Sequence, residues 1–294
     1  MIYDIRLSIG YHYGAPSDRA RTVVRLLPSN LPGRQWVTAR LLTVDPIPAE
    51  RRDTADFFGN AMSILSYHQP IDQIEFKLQA RAERLQPANS LDLSPGLGAL
   101  AAEITAYRSL KPQSPHHFLG VSKRVGVEPE IAAFAAAWAK TNLTVRQTVE
   151  AVANAIHSEM RFDPNATDVD TPPGEAFAKR HGVCQDFSHV MIAALRALGI
   201  PAGYVSGFLR TIPPPGQPRL EGADAMHAWV MAWCGTEAGW IEIDPTNACF
   251  VETDHISVAY GRDYGDIVPV RGVLRTSGAQ NSHHRVDVEP LQRV

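Results

Sequence analysis

One cysteine stands in a setting that favours a nucleophilic thiol. Cys184 lies in the run GVCQDFSH, residues 182–189, at the start of a strongly apolar helical pattern over residues 187–198. Backbone N–H groups without helical partners and the positive end of the helix dipole both stabilise a thiolate at such a position. An ordinary thiol is only a few per cent ionised at pH 7, so a neighbouring base is also needed. This position therefore indicates a candidate nucleophile that depends on a second residue.

Two later segments can supply that base and a carboxylate to orient it. His227 lies in the apolar strand pattern HAWV, and Asp244 closes the next strand pattern and begins the run DPTN. If the two strands are antiparallel neighbours, the carboxylate can reach the imidazole, fix its tautomer and stabilise the imidazolium. Taken singly, each residue type also has a common structural role: a cysteine packs in a core, a histidine hydrogen-bonds inside one, and Asp-Pro forms a turn. The residues alone leave both interpretations open.

Other residues that could do chemistry fit structural roles better. Cys234 and Cys249 lack a helix start, and the adjacent histidine pairs at 116–117 and 283–284 point in divergent directions, which makes them poor metal sites. Asp186 is interpreted as a structural hydrogen-bonding residue. The sequence has no Cys-x-x-Cys, no His-Glu-x-x-His and no phosphate-binding glycine loop. No metal ion and no organic cofactor is therefore expected.

Residues 1–87 have the pattern of an N-terminal β-sandwich. Apolar Tyr3, Ile5, Leu7 and Ile9 alternate with polar residues, which is the period of a strand with one buried face. Short β-rich runs follow, separated by turn signals and without a helical period. The predicted strands in this part of the chain cover residues 3–9, 22–27, 37–44, 56–69 and 73–81.

Residues 88–250 change to helices followed by strands, which is the order of an α+β fold. Helices are predicted over 98–109 and 129–140, then after a capping box formed by Thr144 and Gln147, and then after Thr171-Pro172, ending at Gly182. Strands are predicted over 202–209, 226–234 and 240–243, and a loop with four prolines over 211–222. Residues 251–294 are expected to form a C-terminal β extension of this core.

Composition narrows the class of protein. The 294 residues are 45% apolar and 20% charged, typical of a globular chain and not of a disordered one. The net charge of −3 offers no basic field for a phosphate backbone, so nucleic-acid binding is not expected. The longest apolar run, nine residues over 131–139, is too short to cross a bilayer, and no leader pattern precedes it. Three cysteines do not make a disulfide framework, so a cytoplasmic setting without membrane association is expected. The oligomeric state is left open.

Four ordered motifs resemble the bacterial transglutaminase-like family, whose members are often described as candidate cysteine proteases. They are GVCQDFSH at 182–189, LRALGIPAGYVSG at 195–207, HAWV at 227–230 and DPTN at 244–247. The runs at 260–264 and 269–273 also resemble the C-terminal segment of that family. The resemblance covers essentially the whole chain. It implies an N-terminal β domain typical of the bacterial members and a papain-like core of helices packed on an antiparallel sheet.

The same resemblance implies a Cys-His-Asp triad carried by Cys184, His227 and Asp244. Trp229, Tyr204 and Gln185 are the expected substrate-binding residues, although core packing explains Trp229 and Tyr204 equally well. The backbone N–H of Cys184 is expected to supply one donor of an oxyanion hole.

The expected activity is thiol-dependent acyl transfer from an amide, with a peptide, protein or small amide as substrate. Animal transglutaminases typically have Trp where this chain has Gln185, which weakens an inference of protein cross-linking. Bacterial relatives often have an acidic residue where this chain has Met231, which bears on substrate preference. A peptidase or amidase is the first hypothesis. A transferase that passes the acyl group to an amine and a non-catalytic peptide-binding module are the alternatives.

Overall fold

The N-terminal part of the chain forms antiparallel β-sheets, as predicted. The computed structural model describes residues 1–17, 20–86, 91–211, 222, 224–274 and 280–291. Six strands come first: β1 (Ile2–Ser17), β2 (Ala20–Val24), β3 (Gln35–Asp45), β4 (Glu50–Ala55), β5 (Ala61–Tyr67) and β6 (Ile71–Arg84). Strands β1, β6 and β3 share one sheet, and β2, β5 and β4 share another. The alternating residues Tyr3, Ile5, Leu7 and Ile9 are buried together with Leu65 of the second sheet.

One strand of this region begins later than predicted. Residues 56–60 form a turn, and β5 starts only at Ala61. The side chain of Asp56 accepts hydrogen bonds from the backbone N–H groups of Phe58 and Asn60, both at 3.0 Å. A side chain that satisfies backbone donors in this way favours a turn over a continued strand.

In the described part of the chain, five α-helices precede the core sheet: α1 (Leu97–Ala106), α2 (Pro129–Trp138), α3 (Val145–Glu159), α4 (Pro173–Lys179) and α5 (Cys184–Ala197). The predicted capping box of α3 is confirmed, because Thr144 Oγ1 accepts from Gln147 N at 3.2 Å and Gln147 Oε1 accepts from Thr144 N at 3.0 Å. Helix α4 ends earlier than expected, at Arg180, which takes a left-handed conformation with φ of 57°. Residues His181–Gly182 instead form strand β8, which pairs with β7 (Arg161–Phe162). No helix in these described ranges is both long and apolar enough to span a membrane.

The core sheet has five antiparallel strands, with α5 packed against its central strands. They are β9 (Ala202–Leu209), β10 (Ala225–Trp233), β11 (Trp240–Asp244), β12 (Cys249–Phe250) and β13 (His255–Gly261), in the spatial order β12-β11-β10-β9-β13. Strands β9, β10 and β11 agree closely with the predicted strands. Of the proline-rich loop predicted over 211–222, residues 212–221 lie outside the described residues.

The C-terminal segment differs from the expected extension of the core. Only β13 joins the core sheet, whereas β14 (Val270–Leu274) pairs with β2, and β15 (Gln280–Leu291) pairs with β1 along Ile2–Tyr13. The long strand β1 needs a partner for its second edge, and β15 supplies it together with buried Val286 and Val288. The chain therefore returns to the sandwich after completing the core.

Side-chain amides from the sandwich cover the exposed edge of β13. Gln35 Nε2 donates to the carbonyl oxygen of Ser257 at 2.8 Å, and Gln35 Oε1 accepts from the backbone N–H of Ser257 at 2.9 Å. Asn60 makes the same pair of bonds with the backbone of Tyr260, at 2.7 and 2.8 Å. Each amide imitates the backbone of an additional strand, so the free edge is hydrogen-bonded and the two parts are held in register.

Candidate active site

Cys184 is the first residue of α5, and a buried carboxylate holds this helix start in place. Asp186 Oδ2 accepts from the backbone N–H of Val183 at 2.8 Å and from Thr167 Oγ1 at 2.6 Å. Burial raises the pKa of Asp186, although these hydrogen bonds act in the opposite direction. Gly182 lies so close that a Cβ there would come within 2.7 Å of the Asp186 side chain. The structural role predicted for Asp186 is thus the capping of the helix that presents the thiol.

The neighbouring strands β10 and β11 bring His227 to Asp244. The strands are antiparallel, and the distance from His227 Nε2 to Asp244 Oδ2 is 2.7 Å. Both side chains are buried, with exposed fractions of 8% and 0%. The approach of the carboxylate to the imidazole that the strand pattern predicted is therefore present.

Asp244 accepts five hydrogen bonds. Oδ2 accepts from His227, from Asn247 Nδ2 at 2.6 Å and from His255 Nε2 at 3.2 Å. Oδ1 accepts from the backbone N–H groups of Thr246 at 2.9 Å and Asn247 at 3.2 Å. Burial alone would raise the pKa of Asp244, but the hydrogen bonds from the two imidazoles and Asn247 bring it far below its ordinary value. The buried carboxylate is consequently ionised at neutral pH.

The electrostatics of His227 favour its charged form. Burial lowers the pKa of this histidine, but hydrogen bonds to Asp244 and to Cys184 outweigh that effect and raise it from 6.5 to about 10. Since Nε2 is bound to Asp244, Nδ1 is the nitrogen left for the thiol. The structure brings the three residues together: His227 is hydrogen-bonded to Asp244, and it lines the same cavity as Cys184.

His255 is a residue of this cluster that sequence reasoning did not find. It lies at the beginning of β13, is 5% exposed, and packs edge-on against the Trp229 ring at 5.2 Å between ring centroids. Its Nε2 reaches Asp244, while its Nδ1 is buried with no hydrogen-bond partner in the described residues. No motif or periodicity marks a histidine on a strand that is not adjacent to β11, so only its residue type could have drawn attention to it.

The cluster is also the place where a metal ion could be held. Among the described residues, His227, Asp244 and His255 form a group whose ligand atoms lie within 4.8 Å of one another. Both Nε2 atoms lie at N–H···O distances from the same carboxylate oxygen, so a metal ion would have to compete with these hydrogen bonds. Hydrogen bonding accounts for the arrangement without an ion.

Two of the three predicted substrate-binding residues line the cavity beside Cys184, and the third does not. Tyr204 and Gln185 line a cavity of about 320 Å³ together with Cys184 and His227. Gln185 is oriented by a hydrogen bond from Nε2 to the carbonyl oxygen of Val169 at 3.0 Å. Trp229 does not belong to the described lining of this cavity; it is fully buried, and its Nε1 donates to Glu242 Oε2 at 2.8 Å.

The position of Trp229 has a packing reason. Its ring lies over Gly207, where a Cβ would come within 2.3 Å of it, and it belongs to an apolar cluster with Phe118, Val205 and Met231. A large aromatic ring gains more by filling this space than by facing an open cleft. The Trp229 ring packs against the rings of His227 and His255 and is fully buried, so core packing is the interpretation that fits this residue.

The remaining cysteines and the pair His116–His117 are not part of this cluster, whereas His283 and His284 line the cavity beside Cys184. Burial raises the pKa of Cys234 to about 12, and desolvation together with the carboxylates of Asp244 and Glu252 raises that of Cys249 to about 11. His116 and His117 are each within hydrogen-bonding distance of a backbone carbonyl oxygen. Both cysteines are therefore protonated at neutral pH, which distinguishes them from a thiol paired with an imidazolium.

Comparison with known proteins agrees with this architecture. Residues 129–245 match the model of the transglutaminase-like superfamily, and residues 3–83 match the bacterial transglutaminase-like N-terminal region. An uncharacterised protein of Mycobacterium tuberculosis, Rv2569c, is 34% identical over 269 residues, which cover 88% of this chain and 83% of that protein. An uncharacterised protein of Mycobacterium leprae, ML0607, is 32% identical over 291 residues, or 97% of each chain.

A solved structure shares the fold over the full length of the chain. The crystal structure of a candidate cysteine protease from Cytophaga hutchinsonii superposes with a TM-score of 0.69, at 19% identity, and covers 100% of this chain and 92% of its own. The two family matches fall on the sandwich and on the helices and sheet that carry Cys184, His227 and Asp244. The protein therefore belongs to the transglutaminase-like superfamily and has the N-terminal region of its bacterial members.

Proposed function

We propose that this protein is a thiol-dependent acyl-transfer enzyme, and that its first activity is that of a cysteine peptidase or amidase. The single observation that supports this most strongly is the 2.7 Å hydrogen bond between His227 Nε2 and Asp244 Oδ2, with His227 and Cys184 lining the same cavity. A buried carboxylate beneath a histidine, itself beside a thiol at a helix N-terminus, is the arrangement that activates a nucleophilic cysteine.

Acylation follows from the positions of these groups. The Cys184 Sγ attacks the carbonyl carbon of an amide, a C–S bond forms, and the carbonyl oxygen becomes an oxyanion. The backbone N–H of Cys184 at the start of α5 is the proposed donor to that oxygen; loss of one such donor typically reduces the rate by about 10²–10³. His227 then gives its Nδ1 proton to the leaving nitrogen, the C–N bond breaks, and a thioester remains on Cys184.

Deacylation reverses the proton transfers. Neutral His227 accepts a proton from an attacking water, the hydroxyl oxygen bonds to the acyl carbon, and the C–S bond breaks, which releases the free acid and restores the Cys184 thiolate beside protonated His227. Asp244 remains ionised throughout, because its five hydrogen bonds favour the carboxylate, and it stabilises the imidazolium each time it forms. His255 and Asn247 hold the carboxylate in the orientation that His227 requires.

A transferase is the second candidate, in which an amine takes the place of water in deacylation. A protein-glutamine gamma-glutamyltransferase of Pseudomonas aeruginosa is 38% identical to this chain over 84 residues, which cover 28% of the chain and 12% of that protein. Both reactions use the same acyl-enzyme, so the proposed substrates are a peptide, a protein or a small amide in either case. We also propose a cytoplasmic, reducing setting, in keeping with the three free cysteines.

The test supplies a glutamine-containing peptide and a labelled primary amine, and measures label incorporation against release of ammonia or of cleaved peptide. Release that exceeds incorporation supports the hydrolase, and the reverse supports the transferase. Cys184→Ala is the control for both. If neither product depends on Cys184 and iodoacetamide modifies Cys184 no faster than Cys249, the catalytic proposal is overturned and the peptide-binding module takes its place.

A further inference from the structure

The cavity beside Cys184 is shared between the core and the sandwich. The core contributes Cys184, His227 and Tyr204, while Tyr11 on β1 and the adjacent residues 282–284 on β15 form the facing wall. In the β1–β15 ladder, Tyr11 is opposite Ser282 and Ile9 is opposite His284, so the wall is a continuous piece of antiparallel sheet. About 320 Å³ is at the lower end for a ligand site and fits a short segment of a substrate.

This wall is fixed relative to the catalytic cluster. Asp224 lies directly before β10, the strand of His227. Its buried carboxylate accepts from the backbone N–H of Thr211, two residues after β9, and from that of Val288 in β15, both at 2.6 Å. The single carboxylate thus ties the core strands to β15. Within the wall, the ring of His283 lies so close to Gly10 that a Cβ on the glycine would be 2.1 Å from it. The position of the wall relative to His227 is consequently fixed, because Asp224 is hydrogen-bonded to β15 and lies three residues before His227 in the chain.

Three tyrosines from both parts of the molecule form the aromatic part of the cavity lining, beside polar side chains of Gln185, Ser206 and residues 282–284. Tyr204 and Tyr264 pack edge to face with 6.0 Å between ring centroids, and Tyr11 completes the set from the sandwich. Burial raises the pKa of all three phenols, and Tyr11 adds to the effect on Tyr264, so the hydroxyls are uncharged at neutral pH. Ile9 and Met226 add apolar surface. Rings and aliphatic groups of this kind bind an uncharged apolar group and disfavour a charged group, because a charged group would lose its hydration in the cavity.

We propose that Tyr11 is a specificity-determining residue of this site, and that with Tyr204 and Tyr264 it binds an uncharged aromatic or aliphatic side chain next to the reacting carbonyl of the acyl substrate. The proposal rests on the proposed function, since it assigns the substrate class of the same thiol. It also gives the sandwich a direct part in substrate selection.

The test uses p-nitrophenyl esters of N-acetylated phenylalanine, leucine, glutamate and arginine. Acylation of Cys184 releases p-nitrophenol whether water or an amine later accepts the acyl group, so the readout is independent of the choice between hydrolase and transferase. For the wild-type protein, kcat/KM is expected to be at least about tenfold higher for the phenylalanine and leucine esters than for the charged ones. Cys184→Ala should abolish the release with every ester.

Substitutions at Tyr11 examine the wall itself. Tyr11→Ala should reduce the preference for the phenylalanine ester about tenfold through KM, Tyr11→Phe should retain it, and Tyr11→Glu should favour the arginine ester. Tyr13→Ala is the matched control, because Tyr13 is a half-buried tyrosine two residues further along β1 that is outside the described cavity lining. It should keep the wild-type ranking.

Two results distinguish a failure of the specificity proposal from a failure of the proposed function. If release depends on Cys184 but the Tyr11 variants keep the wild-type ranking, or change it no more than Tyr13→Ala does, the specificity proposal is overturned and the proposed function stands. If no ester gives Cys184-dependent release, both are overturned.

Discussion

Replacing Asp244 with asparagine is expected to uncouple Cys184 from His227 with almost no change in side-chain volume. The carboxylate accepts two backbone N–H groups at Oδ1 and three side-chain donors at Oδ2. An asparagine has one acceptor and one donor end, so in either orientation its NH₂ group faces N–H donors. The least costly response is for His227 to accept from the new amide through Nε2, which places a proton on Nδ1 facing the thiol. That tautomer cannot take the thiol proton.

The magnitude follows from the pKa of His227. A rise from 6.5 to about 10 corresponds to roughly 5 kcal/mol in favour of the imidazolium. Without the charge of Asp244, burial is expected to dominate and to bring this pKa below 6.5. The raised value means that the imidazolium persists as pH increases towards 10, so a positive charge should lie beside Cys184 across the neutral range. In Asp244→Asn that charge should be lost there, and Cys184 should react more slowly at low pH than in the wild-type protein.

The assay is the rate of Cys184 alkylation by iodoacetamide between pH 5 and pH 10, followed by peptide mass spectrometry. At pH 6 an ordinary thiol is roughly 0.3% ionised, so a fully paired thiolate would have an advantage of about 300-fold. A thiolate that is stable at low pH is a weaker nucleophile than an ordinary thiolate, by about a factor of ten here. The alkylation rates of wild type and variant at pH 6 should therefore differ about 30-fold. Cys234 and Cys249 serve as internal standards, since the pKa values of both are raised.

Identical rate profiles for wild type, His227→Ala and Asp244→Asn, all with a midpoint near pH 8.5, would refute the coupled triad. A wild-type profile that remains high at pH 6 and loses that low-pH reactivity in both variants is the expected result. Because the two groups titrate as a pair, the low-pH limit of the wild-type profile belongs to the pair and not to either residue.

Three further predictions concern the nucleophile, the second imidazole and the sandwich. Cys184→Ala should unfold within a few degrees of wild type, because the change costs about 1 kcal/mol or less, yet it should form no acyl-enzyme detectable by intact mass. His255→Leu removes one donor from the Asp244 carboxylate and should reduce kcat/KM about tenfold with an altered pH profile. His255→Gln can still donate a hydrogen bond and should recover most of that loss. Equal losses in the two variants would assign His255 a packing role only. Deleting residues 1–86 should leave no folded core by near-UV circular dichroism, because β14 and β15 lose their partner strands; a cooperative thermal transition in the truncated protein would contradict this.

The parts of the site that could be predicted from sequence are those set by local interactions. The capping box of Thr144 and Gln147 and the boundaries of β9 to β11 are visible as short-range patterns. Cys184 at a helix start and Asp244 at the end of a strand follow from the same patterns. The approach of Asp244 to His227 required only that consecutive antiparallel strands be neighbours, which is the common arrangement.

The parts that were missed depend on contacts between distant segments. His255 reaches Asp244 from a strand that is not adjacent to β11, and β15 pairs with β1 from the opposite end of the chain. The sequence leaves Trp229 equally compatible with the cleft and with the core, because strand alternation gives a face but not a depth. Gly207 provides the space into which its ring packs. The left-handed residue that ends α4 is Arg180, a residue type that carries no C-cap signal, so Gly182 was favoured instead.

The return of β15 to the sandwich also explains why the site cannot be assigned to the core alone. Val288, near the end of the chain, donates its N–H to Asp224, and Asp224 immediately precedes the strand that carries His227. Val286 and Val288 are fully buried, so separating β15 from β1 would expose apolar side chains and leave the Asp224 carboxylate without one of its donors. The position of His227 is therefore coupled to the pairing of β1 with β15. A substitution on β1 that weakens this pairing should disturb both the wall of the cavity and the base that activates Cys184, although it lies outside the family's catalytic core.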